Sequence, residues 1–116
     1  MTAEREIAGL LRRYVRLQVD AAGDPREDIA QIVSRAYLAR IEPVLDAGEA
    51  DPLFGVQDMP DAWIDRITVI VQSETGSHAT ALALFGPPPD EPRGYKIVAV
   101  CDRHNRWRID NVMDRE

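Results

Sequence analysis

The chain has a single cysteine, Cys101, inside the run YKIVAVCD, so no intramolecular disulfide and no thiolate metal cluster can form. That cysteine reads as a small buried apolar residue. Its two histidines, His78 and His104, stand without a Cys or His partner at metal-ligand spacing and read as strand-end or surface residues. No phosphate-cradling glycine loop, nucleophile elbow or paired zinc motif occurs. No catalytic residue, metal or cofactor is therefore expected. Apolar runs are short as well. None approaches the roughly 18–20 residues of a membrane span, and MTAEREIAGLLRRYVRLQVD is amphipathic, unlike the unbroken apolar stretch of a signal peptide. Met1 leaves two readings open: a natural start, with a cytoplasmic location, or a start placed on a mature exported domain, with a periplasmic or envelope one.

Cations are absent from one long segment. Between Arg40 and Arg66 lie Glu42, Asp46, Glu49, Asp51, Asp58, Asp61 and Asp65 with no Lys or Arg among them. That segment carries −7 of a total of −6, so the rest of the chain sums to +1. The acidity is local.

What is present suits one packed domain. The chain has 116 residues, 45% of them hydrophobic and 29% charged, the profile of an ordinary globule. Ile7, Leu10, Leu11, Tyr14 and Leu17 recur at helical spacing and predict a helix over about 3–19. Arg5, Arg12 and Arg16 fall on its other side and read as a solvated face, because three arginines on a net-acidic domain do not make a nucleic-acid surface. DPRE, with Asp24 as N-cap, Pro25 at the first position and Glu27 at the third, predicts a second helix over about 25–45. Its stripe is Ile29, Val33, Ala36, Tyr37, Ile41 and Val44, with Pro43 and Gly48 bracketing its end. Arg40 falls inside that stripe, and a guanidinium there requires a partner. The expected partner is a carboxylate from the acidic connection or the last strand.

After an irregular, acidic connection over about 46–62 the period changes to two. WIDRITVIVQSE, HATALALFG, GYKIVAVCD and RWRIDNV predict four strands within about 63–112, and their short links predict antiparallel neighbours. The middle strands are apolar on both alternate sets, so Leu82, Val98 and Val100 are expected to be buried with Ile67, Val69 and Trp107. The second sheet face should then be covered in part by the acidic connection or by a second copy, a homodimer through the open sheet face. In the last strand Arg106, Arg108, Asp110 and Val112 should share one face, which would pair Asp110 with its arginines and hold it ionised and unreactive.

The order of helix, helix, irregular segment and meander resembles the NTF2-like (cystatin-like) α+β superfold, and within it the DUF3828 group of small bacterial domains. Tyr14, Tyr37, Gln57-Asp58, Trp63, Trp107, Ile109, Asp110 and Val112 carry the resemblance. Such a fold hosts isomerases, transport modules and toxin-neutralising immunity proteins, so it does not by itself supply a function. Asp46, Glu49, Asp51, Asp58, Asp61 and Asp65, with Leu53, Phe54 and Met59 as apolar anchors among them, suit docking of a basic protein. The expectation is a non-catalytic protein-binding domain of the immunity kind, blocking a basic secreted toxin. The alternative is a small-molecule-binding or isomerase-like cavity enzyme built around Arg40 and a carboxylate.

Overall fold

Residues 3–20, 26–48, 51–55, 61–86 and 93–114 are described in a computed structural model. Helix α1 (Ala3–Asp20) buries Ile7, Leu10, Leu11 and Tyr14, as their spacing predicts, together with Ala3 and Val15. A one-turn helix α2 (Arg26–Ile29) and helix α3 (Arg35–Ala47) follow, then a 3-10 turn (Asp61–Ile64). The strands β1 (Ile67–Glu74), β2 (His78–Phe85), β3 (Arg93–Cys101) and β4 (Trp107–Asp114) form one sheet in the order β1-β2-β3-β4, every pair antiparallel. This is the α+β class anticipated from the sequence.

One face of the sheet carries the core. Val69, the alternate residues Ala79, Ala81, Ala83 and Phe85 of β2, and Tyr95, Ile97 and Ala99 of β3 are buried there with Ile109 of β4. Helix α1 contacts both edge strands, β1 and β4, so the sheet must curl around it. Two features allow this. The four alanines keep the middle of the face shallow, and both edge strands carry a register shift, at Gln72 between Val71 and Ser73 and at Asp110 opposite the Val98–Ala99 step. An extra residue in an edge strand bends it and increases its twist. The last hairpin closes through Asn105, whose left-handed φ of 61° a short polar side chain tolerates.

The expected single helix over 25–45 is divided. Ile32 to Ser34 run instead as a short parallel bridge along β4: the Ser34 amide donates to the Ile109 carbonyl (2.8 Å) and the Ile109 amide to the Ile32 carbonyl (2.9 Å). Ser34 then N-caps α3, its Oγ accepting from the Tyr37 amide at 3.1 Å. α3 continues through Pro43 to a left-handed Gly48, and Val44 and Ala36 of the expected stripe are exposed. The expected caps Asp24 and Pro25 lie outside the described residues.

The part of the acidic connection from Asp51 to Gly55 goes into the core. Asp51 is only 6% exposed. Its Oδ1 accepts from the Tyr14 hydroxyl (2.7 Å) and from the backbone amides of Phe54 (2.7 Å) and Leu53 (3.1 Å). Phe54 is thereby placed among aromatic rings, with centroids 4.7 Å from Tyr95, 4.9 Å from Phe85, 5.5 Å from Tyr14 and 6.2 Å from Trp63. Tyr95 closes the arrangement by donating to the Phe54 carbonyl at 3.3 Å. Burial, followed by the charge of Asp51 and the hydrogen bond to it, pushes the Tyr14 hydroxyl far above the ordinary tyrosine range.

Removing one donor from a buried carboxylate forfeits a charge-assisted bond, so Tyr14→Phe should destabilise the fold by about 1.5–3 kcal/mol, measured as a shift in the urea midpoint at unchanged slope. The tyrosines also set an alkaline limit. Burial raises Tyr37 to about 12, against the opposing pull of the Arg40 guanidinium, and Tyr14 is raised further. Both pKa values are higher folded than unfolded, so their stabilisation is complete below the unfolded value near 10 and is lost as pH rises toward and through the folded values. Absorbance titration should show these two tyrosines ionising together with unfolding; titration of both near pH 10 in a still-folded protein would contradict the burial.

Candidate partner-binding surface

The described part of the acidic segment does not lie wholly at the surface, contrary to what its composition suggests. Asp51, Leu53 and Phe54 are buried and hold the core, which removes them as partner contacts. Asp46 is exposed and is bonded to Arg26 across the α2–α3 pair. Glu42 and Asp65 are exposed. Glu49, Asp58 and Met59, and the side chain of Asp61, lie outside what is described. Trp63 packs in the core, stacked on Phe85 at 4.7 Å.

Asp110 is paired differently from expectation. The register shift makes it the extra residue of β4, so Trp107, Ile109 and Val112 turn toward the core side while Arg108 and Met113 point outward. Its Oδ1 accepts from the Ser34 hydroxyl at 2.6 Å, not from an arginine. Arg106 is exposed, and Arg108 donates to the Gln31 carbonyl and stands 3.9 Å from Asp102. Asp110 thus ties the start of α3 to the sheet edge. A mid-run serine three residues before Tyr37 was the sequence signal for this break, and the apolar stripe masked it.

No carboxylate meets Arg40 among the described residues. The side chain is exposed, with its guanidinium carbon 5.4 Å from the Tyr37 ring centroid and its Nη2 3.5 Å from the Asn111 amide oxygen. The reset of helical phase at Ser34 moves Arg40 from the centre of a stripe to its rim, where the stem covers Tyr37 and the head stays in water. His78 and His104 are exposed, and Cys101 is half-buried.

Among the described residues, the outer sheet face leaves apolar side chains facing solvent. The register aligns Ile70, Leu82, Lys96 and Met113 in one row across all four strands, with Leu84, Val98 and Val100 in adjoining rows. Ile70 is 48% exposed and Met113 39%. Leu82, Val98 and Val100, expected to be buried, are half-buried, as are Ile67 and Trp107. The connection cannot cover this face where it is described, because Asp51 to Gly55 occupy the opposite one. Lys96 interrupts the row, and apolar residues grouped in this way suit a protein contact.

Two solved structures resemble the chain from end to end. It matches a chain of the native type VI effector–immunity complex Tae3–Tai3 from Ralstonia pickettii with a TM-score of 0.77 and 17% identity, over 99% of this chain and 96% of that one. The selenomethionine form of the same complex matches with a TM-score of 0.73 and 20% identity, over 99% of this chain and 98% of that one. At these identities the likeness establishes a shared fold. No protein-family model matches the sequence, and no curated protein matches it.

The Ser34–Asp110 bond is a structural link, and its loss should read as stability. Ser34→Ala removes a helix cap and strands a carboxylate oxygen, costing about 1–2 kcal/mol in chemical denaturation. Asp110→Asn, which can still accept from Ser34, should cost less. Equal losses from both would show that the carboxylate charge matters beyond the cap.

Proposed function

We propose that the chain is an immunity protein, a non-catalytic domain that binds a secreted effector and neutralises it. The observation that carries this is its end-to-end likeness to a chain of a complex solved between an effector and its immunity protein. The open sheet face supports it, since Ile70 and Met113 offer apolar contacts that no described part of the chain uses. A net charge of −6 favours a cationic effector over a second copy of the same acidic chain as the occupant of that face. An inhibitor must share the compartment of its target, and the periplasm is the location that goes with this reading. Kinship with the NTF2-like superfold is a proposal of the same rank, resting on the order of helices and meander. The cavity-enzyme reading requires a pocket with Arg40 beside a carboxylate, and Arg40 instead reaches an amide oxygen at the surface.

The test has two stages. Protein captured by this chain from its source cells is identified by mass spectrometry, then exported alone to the periplasm of a test bacterium. It should be toxic there, and co-export of this chain should relieve the toxicity. A captured protein that is harmless, or whose toxicity persists, would reject the reading. With the captured effector in hand, Ile70→Asp and Met113→Asp should each weaken binding by more than about 1 kcal/mol, measured by calorimetry. Glu42→Lys with Asp65→Lys should mainly slow association, and the wild-type rate should fall as salt is added.

A further inference from the structure

A cleft of about 480 Å³ opens between the start of α3 and the turn joining β3 to β4. Val33, Leu38 and Val100 give it apolar walls, and Arg35 and Arg103 stand at its rim. Both arginines are exposed, and neither makes a hydrogen bond or ion pair among the described residues. The carboxylate within the cleft, Asp102, is already engaged. Its Oδ1 accepts the backbone amides of His104 (2.8 Å) and Arg106 (3.0 Å), and its Oδ2 faces Arg108 at 3.9 Å. The cleft is therefore locally cationic on a chain whose net charge is −6.

Stability does not account for Arg35. It is the first residue of α3, where the positive end of the helix dipole disfavours a cation. The dipole therefore gives the Arg35 guanidinium no stabilising role at that position. Two guanidiniums beside an apolar wall suit a carboxylate, which they can grip through paired N–H donors while its aliphatic stem packs below. The site also adjoins the open face: Val100, in its wall, is the register partner of Arg108 on the outer side of the sheet.

We propose that this cleft receives a carboxylate-bearing segment of the bound partner, with the carboxylate held by Arg35 and Arg103. The inference rests on the immunity reading and assigns one corner of its docking surface. A partner seated on the sheet face reaches the cleft along β3 and β4 without a separate interface. It also gives an overall cationic effector one anionic point whose position fixes its orientation.

The double variant Arg35→Gln/Arg103→Gln separates this from general electrostatics. Making the chain more acidic should, by long-range attraction alone, speed association with a cationic effector and tighten the complex. Loss of a docked carboxylate instead speeds dissociation, by about 30-fold or more for a hydrogen-bonded charge pair at an interface. Dissociation of the captured effector, followed by surface plasmon resonance, should accelerate by that factor while association changes by less than about threefold. The melting temperature of the free variant should stay level or rise, because Arg35 opposes the helix dipole. A wild-type complex whose dissociation from the variant is unchanged or slower overturns the cleft assignment and leaves the immunity reading standing. Absence of any wild-type complex with a toxic partner overturns both.

Discussion

The carboxylate of Asp51 is a charge taken out of water beneath a sheet, and such a group persists only where donors surround it. Here one oxygen collects the Tyr14 hydroxyl and two successive backbone amides, so a helix residue and a connection residue are held to a single point. The aromatic cluster depends on that point. Phe54 can sit between Tyr95, Phe85 and Trp63 only because the turn at Asp51 aims it there, and Tyr95 then holds the carbonyl of Phe54. With the inner face filled by α1 and this turn, the described chain has nothing left for the outer face. The openness of the outer face is thus a consequence of how the core is closed.

A second constraint acts at the β4 edge. A bare edge strand exposes unpaired amides and carbonyls to other chains. The Ile32–Ser34 bridge takes up both groups of Ile109, and the bulge at Asp110 turns that carboxylate toward Ser34. The same few residues end one helical segment, start the next and fix it against the sheet. They also decide where Arg35 lies, one residue beyond the cap and across the cleft from the β3–β4 turn.

Periodicity made the fold class readable: a 3.6-residue repeat through Ile7, Leu11 and Tyr14, then four runs of period two with short links. What it concealed were the interruptions. Ile29, Val33, Tyr37 and Ile41 keep helical spacing across the break at Ser34, because a strand-like bridge buried on one side and a helix buried on one side can both use those apolar residues. Bulges shift alternation by one residue, which is why Val112 sits with Ile109 and why Asp110 escapes its neighbouring arginines. The acidic segment misled for a different reason. Composition counts carboxylates and apolar residues without saying which will find partners, and Asp51, Leu53 and Phe54 found theirs inside.

The two apolar sets of the central strands also take a new meaning. Alanines line the inner side, where α1 needs room, while the larger Leu82, Leu84, Val98 and Val100 face outward. A sheet built only for its own core would place bulk inward and polar residues outward. This sheet keeps polar residues such as Thr80 and Lys96 on its outer face but leaves bulky apolar residues between them, so it forgoes solvation on that face. Arg35 at the wrong end of α3 is a smaller sacrifice of the same kind. Both lie on the surface that the immunity reading proposes for a partner, where contacts made in a complex would offset what the free chain forgoes.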